Sequence, residues 1–127
     1  DIRILIVEDE LVIRRVMRHV LERMGHVVVG VAGDVLQALE MARSLHPDLV
    51  LMDVHAPAAS GVAAAWSMSQ GCRAPLVVLS KDSSPETVEE ALQAGAVAFL
   101  SKPVSTRVLA EALSSVVGEA MHVGRHR

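Results

Sequence analysis

Four short apolar runs in the sequence each end at residues whose side chains could take part in one reaction. The residues that follow these runs are Glu8-Asp9, Asp53, Ser80 and Lys102. Three carboxylates held close together repel one another and raise one another's pKa unless a divalent cation or a lysine compensates their charge. Oxygen ligands without a nearby His pair or Cys favour a hard ion over zinc. Glu8, Asp9 and Asp53 therefore predict a Mg²⁺ site.

A lysine and a hydroxyl beside such a site extend its chemistry. Transfer of a phosphoryl group requires a carboxylate nucleophile, a metal ion, a positive charge and a hydrogen-bond donor. Lys102 and Ser80 would supply the last two. Taken singly, the acids fit a solvated helix N-terminus, Ser80 fits a turn and Lys102 fits the protein surface. Only their convergence at one place distinguishes a phosphoryl-transfer site from these ordinary roles.

The elements that must position these residues alternate between apolar runs and segments with helical periodicity. The apolar runs hardly alternate with polar residues, which is typical of strands buried on both faces of a parallel sheet. They span residues 2–7, 27–31, 49–52, 76–79 and 97–100. The helices between them are predicted to end at Gly25, before Pro47, near residue 70 and at Gly95. The third is predicted to start near Val62, the fourth at the cap residue Ser84 and the fifth near Ser105. Right-handed crossovers then give a doubly wound α/β sheet, with the carboxyl ends of its strands at one edge.

Length and composition limit the class of protein. A chain of 127 residues is the size of one domain, which we place at residues 1–120, followed by a tail or the start of a linker at 121–127. The net charge is −3 and the Lys and Arg residues are scattered, so direct nucleic-acid binding is not expected. Cys72 is the single cysteine, and no apolar run approaches the roughly 18 residues of a membrane span. We therefore expect a cytoplasmic protein without a membrane segment, in which Trp66 packs the third helix on the sheet.

Over residues 2–117 the sequence resembles the response-regulator receiver domain of two-component signalling. The resemblance is carried by Glu8-Asp9, Asp53, Pro57, Gly61, Ser80 and Lys102-Pro103. It implies a flavodoxin-like (βα)5 fold with the strand order 2-1-3-4-5. It also implies a signalling domain rather than an enzyme, since the only reactions it catalyses are its own Mg²⁺-dependent phosphorylation and dephosphorylation.

The resemblance implies a role for each acidic residue. Asp53 would accept a phosphoryl group from a phosphohistidine on a histidine kinase or a phosphotransfer protein. Asp9, Asp53 and the main-chain carbonyl of His55 would ligate Mg²⁺ directly, and Glu8 would act through water. Only the carbonyl of His55 is expected to face the metal.

The resemblance also implies a conformational switch. Ser80 would hydrogen-bond a phosphoryl oxygen, Lys102 would pair with the acyl phosphate, and the peptide bond between Lys102 and Pro103 would be cis. Phe99 occupies the position of the family's switch aromatic. Phosphorylation would draw Ser80 toward the phosphoryl group and let Phe99 turn inward, selecting a second state of the surface formed by the fourth helix, fifth strand and fifth helix.

Several positions depart from the family pattern. Ala56 and Ser60 stand where the family usually has Met and an acidic residue, and Lys81 stands where it usually has Ala or Gly. Lys81 would shield the acyl phosphate from water or add a phosphate contact. His55 and Asp82 fill two further positions that tune how long the phosphoryl group survives. We therefore expect an altered lifetime of the phosphorylated form.

Three other functions compete with a phosphoacceptor. A haloacid-dehalogenase phosphatase needs a second acid two residues after the nucleophile, where this chain has His55. A flavin carrier needs a phosphate-binding loop after the first strand, where the acids at 8–10 would repel a phosphate. The serious alternative is a receiver-like interaction module that works without phosphorylation. The form of the output stays open. The alternatives are another protein, a C-terminal effector domain outside these residues and a homodimer of the switch surface.

Overall fold

The computed structural model describes residues 2–55 and 58–125, so Ala56 and Pro57 lie outside the described residues. Strands and helices alternate along the chain. In order they are β1 (Arg3–Val7), α1 (Leu11–Arg23), β2 (Val27–Ala32), α2 (Val35–Leu45), β3 (Leu49–Val54), α3 (Ala58–Gly71), β4 (Leu76–Ser80), α4 (Pro85–Gln93), β5 (Ala98–Ser101) and α5 (Thr106–Arg125). All strand pairs are parallel, and the sheet order β2-β1-β3-β4-β5 confirms the predicted doubly wound fold.

The sheet is covered on both faces, which explains why its strands are almost continuously apolar. Ile4 and Ile6 belong to a core cluster that includes residues of α1 and α5. Leu5 and Val7 belong to a second cluster that includes residues of α2 and α3. Ile4, Leu5 and Ile6 are fully buried, and burying each such side chain stabilises the fold by about 1.5–3 kcal/mol.

Local signals set the ends of several helices. Gly25 and Gly95 follow α1 and α4 with φ values of 91° and 115°, in the left-handed region that favours glycine after a helix. The side chain of Ser84 accepts a hydrogen bond from the N–H of Thr87 and so caps α4. Gly61 serves packing instead, because a Cβ there would lie 2.6 Å from Cγ1 of Val54 on β3. Gly25, Gly95 and Ser84 thus act where the sequence predicted helix ends and a helix cap.

Some element boundaries and one packing assignment differ from expectation. β3 continues to Val54, so that Asp53 lies inside the strand, and α3 begins at Ala58 rather than near residue 62. Trp66 is 55% exposed and does not pack α3 on the sheet, because Ala65 and Met68 take the buried positions of that helix.

α5 is the last element of the described residues. α5 runs to Arg125, so the predicted boundary at residue 120 falls inside this helix. Where the domain itself ends stays a prediction. Among the described residues, no helix combines the length and apolarity that crossing a membrane requires.

Candidate functional site

The carboxyl ends of β3, β4 and β5 lie side by side at one edge of the sheet. In the parallel register Val54 pairs with Ser80, and Ser80 pairs with Ser101. Asp53 precedes Val54 and Lys102 follows Ser101, so the carboxylate and the ammonium are brought to the same level of the sheet. β1 pairs with β3 on the other side and delivers the acids that follow it.

Glu8 is a buried carboxylate at the end of β1. It is 1% exposed, and its side chain accepts a hydrogen bond from the N–H of Glu10 at 2.9 Å. Burial, and after it the neighbouring Asp53 side chain, raises the pKa of Glu8 to about 7. The hydrogen bonds with Glu10 and His55 lower this pKa but offset burial only in part, so a divalent cation would compensate the remaining cost of the ionised form.

Asp53 forms an ion pair with Lys102. Nζ of Lys102 contacts Oδ1 of Asp53, and the two side chains are 15% and 3% exposed. The main-chain N–H of Lys102 donates to the carbonyl of Ser80 at 2.9 Å, which ties the lysine to the end of β4. The peptide bond between Lys102 and Pro103 is cis. The positive charge is thus held against the carboxylate that the sequence identifies as a nucleophile.

The imidazole of His55 points into the same acidic site. Its Nε2 lies 2.8 Å from Oε1 of Glu8 and 3.5 Å from Oδ2 of Asp53. The hydrogen bond with Glu8 raises the pKa of His55. The expectation that only the main-chain carbonyl of His55 faces the site is therefore corrected. His55 lies two residues after Asp53 and directly follows Val54, the last residue of β3.

The donor atoms of Glu8, Asp9 and His55 form a group that could hold a metal ion. One ligand atom from each residue lies within 4.8 Å of the others. Asp53 is outside this group but borders it through its 3.5 Å approach to His55. Carboxylate oxygens, one from buried Glu8 and one from exposed Asp9, suit a hard divalent cation. The donor set therefore fits a magnesium site, with an imidazole nitrogen added to it.

Ser80 begins a hydrogen-bonded loop that leads into α4. Its Oγ accepts a hydrogen bond from the N–H of Asp82 at 3.2 Å, and the hydroxyl hydrogen remains able to donate. The carboxylate of Asp82 accepts from the N–H of Ser84 and from Oγ1 of Thr87. These hydrogen bonds, the one from Ser84 first, lower the pKa of Asp82. Asp82 thus braces the loop that connects the site to α4.

Phe99 lies partly buried on β5, packed against the cluster that covers the α2 and α3 side of the sheet. A small cavity separates it from the site. That cavity is lined by Phe99 together with Ser80, Thr87 and Gly61. This cavity adjoins both residues of the predicted exchange, in which Ser80 moves toward a phosphoryl group and Phe99 turns inward. The exchange itself stays a prediction.

Asp53 is reached from outside through a groove. The groove has a volume of about 410 Å³ and is lined by Asp53, Lys81, Lys102 and Pro103 together with apolar residues of α1 and α5. Lys81 is exposed at this opening. A phosphate-bearing group that entered the groove would meet two lysines on its way to the carboxylate.

The sequence matches a known protein family over most of its length. Residues 4–114 match the family described as the response regulator receiver domain. The chain belongs to that family. The resemblance seen in the sequence is confirmed, and so is the receiver-type strand order.

The receiver domain is similar to parts of several larger proteins. It is 43% identical over 115 residues to the transcriptional regulatory protein PdtaR of Mycobacterium tuberculosis, covering 91% of this chain and 56% of that protein. It is 39% identical over 121 residues to protein-glutamate methylesterase/protein-glutamine glutaminase 5 of Myxococcus xanthus, covering 93% and 34%. The receiver chain therefore spans about half, or less, of the length of these relatives.

Solved receiver domains share the fold. The signal receiver domain of the putative response regulator NarL from Mycobacterium tuberculosis matches with a TM-score of 0.81 and 28% identity, over 93% of this chain and 97% of that one. The response regulator domain of Thermotoga maritima CheB matches with a TM-score of 0.73 and 32% identity, over 95% and 96%.

Most of the side chains at this edge of the receiver were predicted from the sequence to lie together, but two contributions were missed. The structure brings together Glu8, Asp9, Asp53 and Lys102, with Ser80 at the same edge. The imidazole of His55 was missed, although its position two residues after Asp53, at the end of a predicted strand, was a usable signal. The bracing contacts of Asp82 depend on a folded loop and had no such signal.

Proposed function

We propose that this receiver domain accepts a phosphoryl group on Asp53 from the phosphohistidine of a histidine kinase or phosphotransfer protein. The observation that carries the proposal is the buried Asp53 carboxylate paired with Lys102 beside the acids at the end of β1. A carboxylate oxygen of Asp53 forms a bond to phosphorus while the bond between phosphorus and the donor imidazole nitrogen breaks. Lys102 balances the charge on the phosphoryl group, and the hydroxyl of Ser80 donates a hydrogen bond to one of its oxygens.

A divalent ion completes this chemistry, and we propose that it is Mg²⁺. Glu8, Asp9, Asp53 and the main-chain carbonyl of His55 would hold it, and it would place positive charge next to the transferring group. The buried position of Glu8 and its raised pKa support this assignment, because both make the apo site costly in its ionised form. The domain's own phosphorylation and dephosphorylation are then its only catalysis.

Exposed apolar side chains support contacts with other proteins. Leu11, Val12 and Val16 are exposed on α1, beside the groove that leads to Asp53, where a protein phosphodonor would approach. Leu92 and Val108 are exposed on α4 and α5. That second surface is the one we propose to change on phosphorylation, toward an output protein, an effector region outside these residues or a second copy of the domain. The free thiol of Cys72 is in keeping with the cytoplasmic location that we also propose.

Intact-mass measurement after incubation with acetyl phosphate tests the phosphoacceptor. With Mg²⁺ present we expect a mass gain of one phosphoryl group, which disappears when the metal is chelated. Asp53→Asn keeps the size of the side chain but removes the nucleophile, so that variant is expected to gain nothing. A gain in Asp53→Asn equal to that of the native chain would contradict the proposal. No gain in either protein, under conditions that preserve acyl phosphates, would favour a module that works without phosphorylation.

Lys81→Ala is expected to shorten the lifetime of the phosphorylated form. Lys81 lines the opening above Asp53, where its charge holds the phosphoryl group and limits the approach of water. We expect dephosphorylation to become about twofold to fivefold faster, the range that one exposed charge pair contributes. The rate is followed by intact mass after the phosphodonor is removed, with Lys81→Arg as the charge-retaining control. Identical rates in the native chain and Lys81→Ala would remove Lys81 from lifetime control.

A further inference from the structure

An imidazole nitrogen lies among the carboxylates of the cation site, where the oxygen-only chemistry predicted from the sequence has no place for it. Nε2 of His55 is 2.8 Å and 2.9 Å from the two carboxylate oxygens of Glu8 and 3.5 Å from Oδ2 of Asp53. A ring nitrogen of His55 also lies within 4.8 Å of a carboxylate oxygen of Asp9. The side chain is 27% exposed, so the ring is partly enclosed but still open to an arriving ion.

The spacing of these atoms suits coordination of a single ion. Donors at neighbouring positions around an octahedral ion with bonds of about 2.1 Å are separated by about 3.0 Å. The distances from Nε2 to Oε1 of Glu8 and to Oδ2 of Asp53, 2.8 Å and 3.5 Å, lie on either side of that value. An ion that took Nε2 as a ligand would replace the hydrogen now shared between the ring and Glu8. The neutral ring would then carry its hydrogen on Nδ1, which is the usual arrangement of a metal-bound imidazole.

The chemistry of the donor decides which ions gain from it. Mg²⁺ binds oxygen almost exclusively and keeps several waters, so an imidazole adds little to its affinity. Late first-row divalent ions accept imidazole readily, and their affinity for nitrogen ligands rises toward copper. A site with two or three carboxylates and one imidazole is therefore biased toward the transition ions.

We propose that Nε2 of His55 is a metal ligand, and that this receiver site binds Co²⁺ and similar late first-row ions in preference to Mg²⁺. The inference rests on the proposed function only in that it concerns the same acidic site. It assigns to His55 a side-chain role in addition to the main-chain carbonyl that the family pattern implies. The ion that loads the site in the cell would then follow metal availability rather than oxygen chemistry alone.

Proton NMR of the Co²⁺-loaded domain gives a direct readout of this bond. An imidazole bound to high-spin Co²⁺ through Nε2 has an exchangeable Nδ1–H resonance shifted far outside the diamagnetic range. We expect one such resonance in the native chain, its loss in His55→Gln, and its retention in His19→Gln, which replaces an exposed histidine on α1. Titration calorimetry with Co²⁺ and with Mg²⁺ completes the test. We expect His55→Gln to weaken Co²⁺ binding by at least about tenfold and to change Mg²⁺ binding little. Tenfold is the lower end of the loss in metal affinity caused by removing a residue that only hydrogen-bonds to a metal ligand.

The outcomes separate this inference from the proposed function. If His55→Gln keeps the shifted resonance, or if both metals lose affinity equally, the imidazole is not a ligand and the inference is overturned. In that case labelling of Asp53 with acetyl phosphate and Mg²⁺ can still succeed, and the phosphoacceptor proposal stands. If the resonance and the selective loss are observed while Asp53 is never labelled, the ligand assignment holds and the phosphoacceptor proposal fails.

Discussion

Lys102→Ala is expected to lower the free energy of unfolding of the metal-free domain by about 3 kcal/mol, the lower end of the range for breaking a buried ion pair. The loss arises because Asp53, whose side chain is 3% exposed, keeps its charge without the ammonium that now contacts it. The same change is expected to slow labelling by acetyl phosphate by about a hundredfold or more, since a preorganised positive charge is removed from the phosphoryl site. Urea unfolding in the presence of a chelator and the initial rate of labelling measure the two effects.

A neighbouring lysine supplies the control. Lys81 lines the same groove but is exposed, so Lys81→Ala is expected to change the free energy of unfolding by less than about 0.5 kcal/mol. Excess Mg²⁺ is expected to restore part of the stability of Lys102→Ala, because a cation near Asp53 compensates the same charge. Equal stability of the two lysine variants would show that the ion pair contributes nothing measurable to the fold.

Glu8→Gln is expected to change stability in opposite directions with and without metal. In the folded domain the pKa of Glu8 is raised from 4.5 to about 7, chiefly by burial. The folded state therefore binds this proton more tightly than the unfolded state. The stability that the neutral form contributes is complete below about pH 4.5 and is lost as the pH rises through about 7. Gln imitates the neutral form at every pH, and it can still accept the hydrogen bond from Glu10.

The expected result at about pH 8 is a metal-free Glu8→Gln domain that is more stable than the native chain by on the order of 1 kcal/mol. The difference is expected to shrink toward pH 4.5 and to reverse in excess Mg²⁺, since the variant lacks a carboxylate that a cation would stabilise. Thermal unfolding across this pH range, with and without Mg²⁺, measures it. Glu10→Gln, at an exposed acid two residues away, is expected to show neither effect. A metal-free Glu8→Gln domain that is less stable at pH 8 would contradict the assignment of Glu8 as a poorly compensated buried acid.

The sequence alone was enough to predict the sheet and several of the side chains that meet at its carboxyl edge. Runs such as 49–52 and 76–79 could be recognised as strands because a parallel strand is buried on both faces and needs apolar residues at every position. Once the strands were placed, Asp53, Ser80 and Lys102 had to meet, because all carboxyl ends of a parallel sheet lie at one edge. The helix ends at Gly25 and Gly95 and the helix cap at Ser84 were equally predictable, because each depends on one residue. The glycines adopt positive φ, and the side chain of Ser84 accepts a hydrogen bond from the first turn of α4.

The depth at which each group is buried depends on the tertiary structure, and so does the choice of atoms that face one another. Glu8 and Asp9 are adjacent in sequence, yet Glu8 is buried and contacts His55, whereas Asp9 is exposed. Trp66 became exposed because smaller residues filled the buried face of α3. β3 continues past Asp53 to Val54, and the imidazole of the next residue, His55, lies against Glu8. Burial and side-chain direction depend on contacts between segments distant in sequence, and those contacts set the pKa of Glu8 and the donor atoms offered to a metal ion.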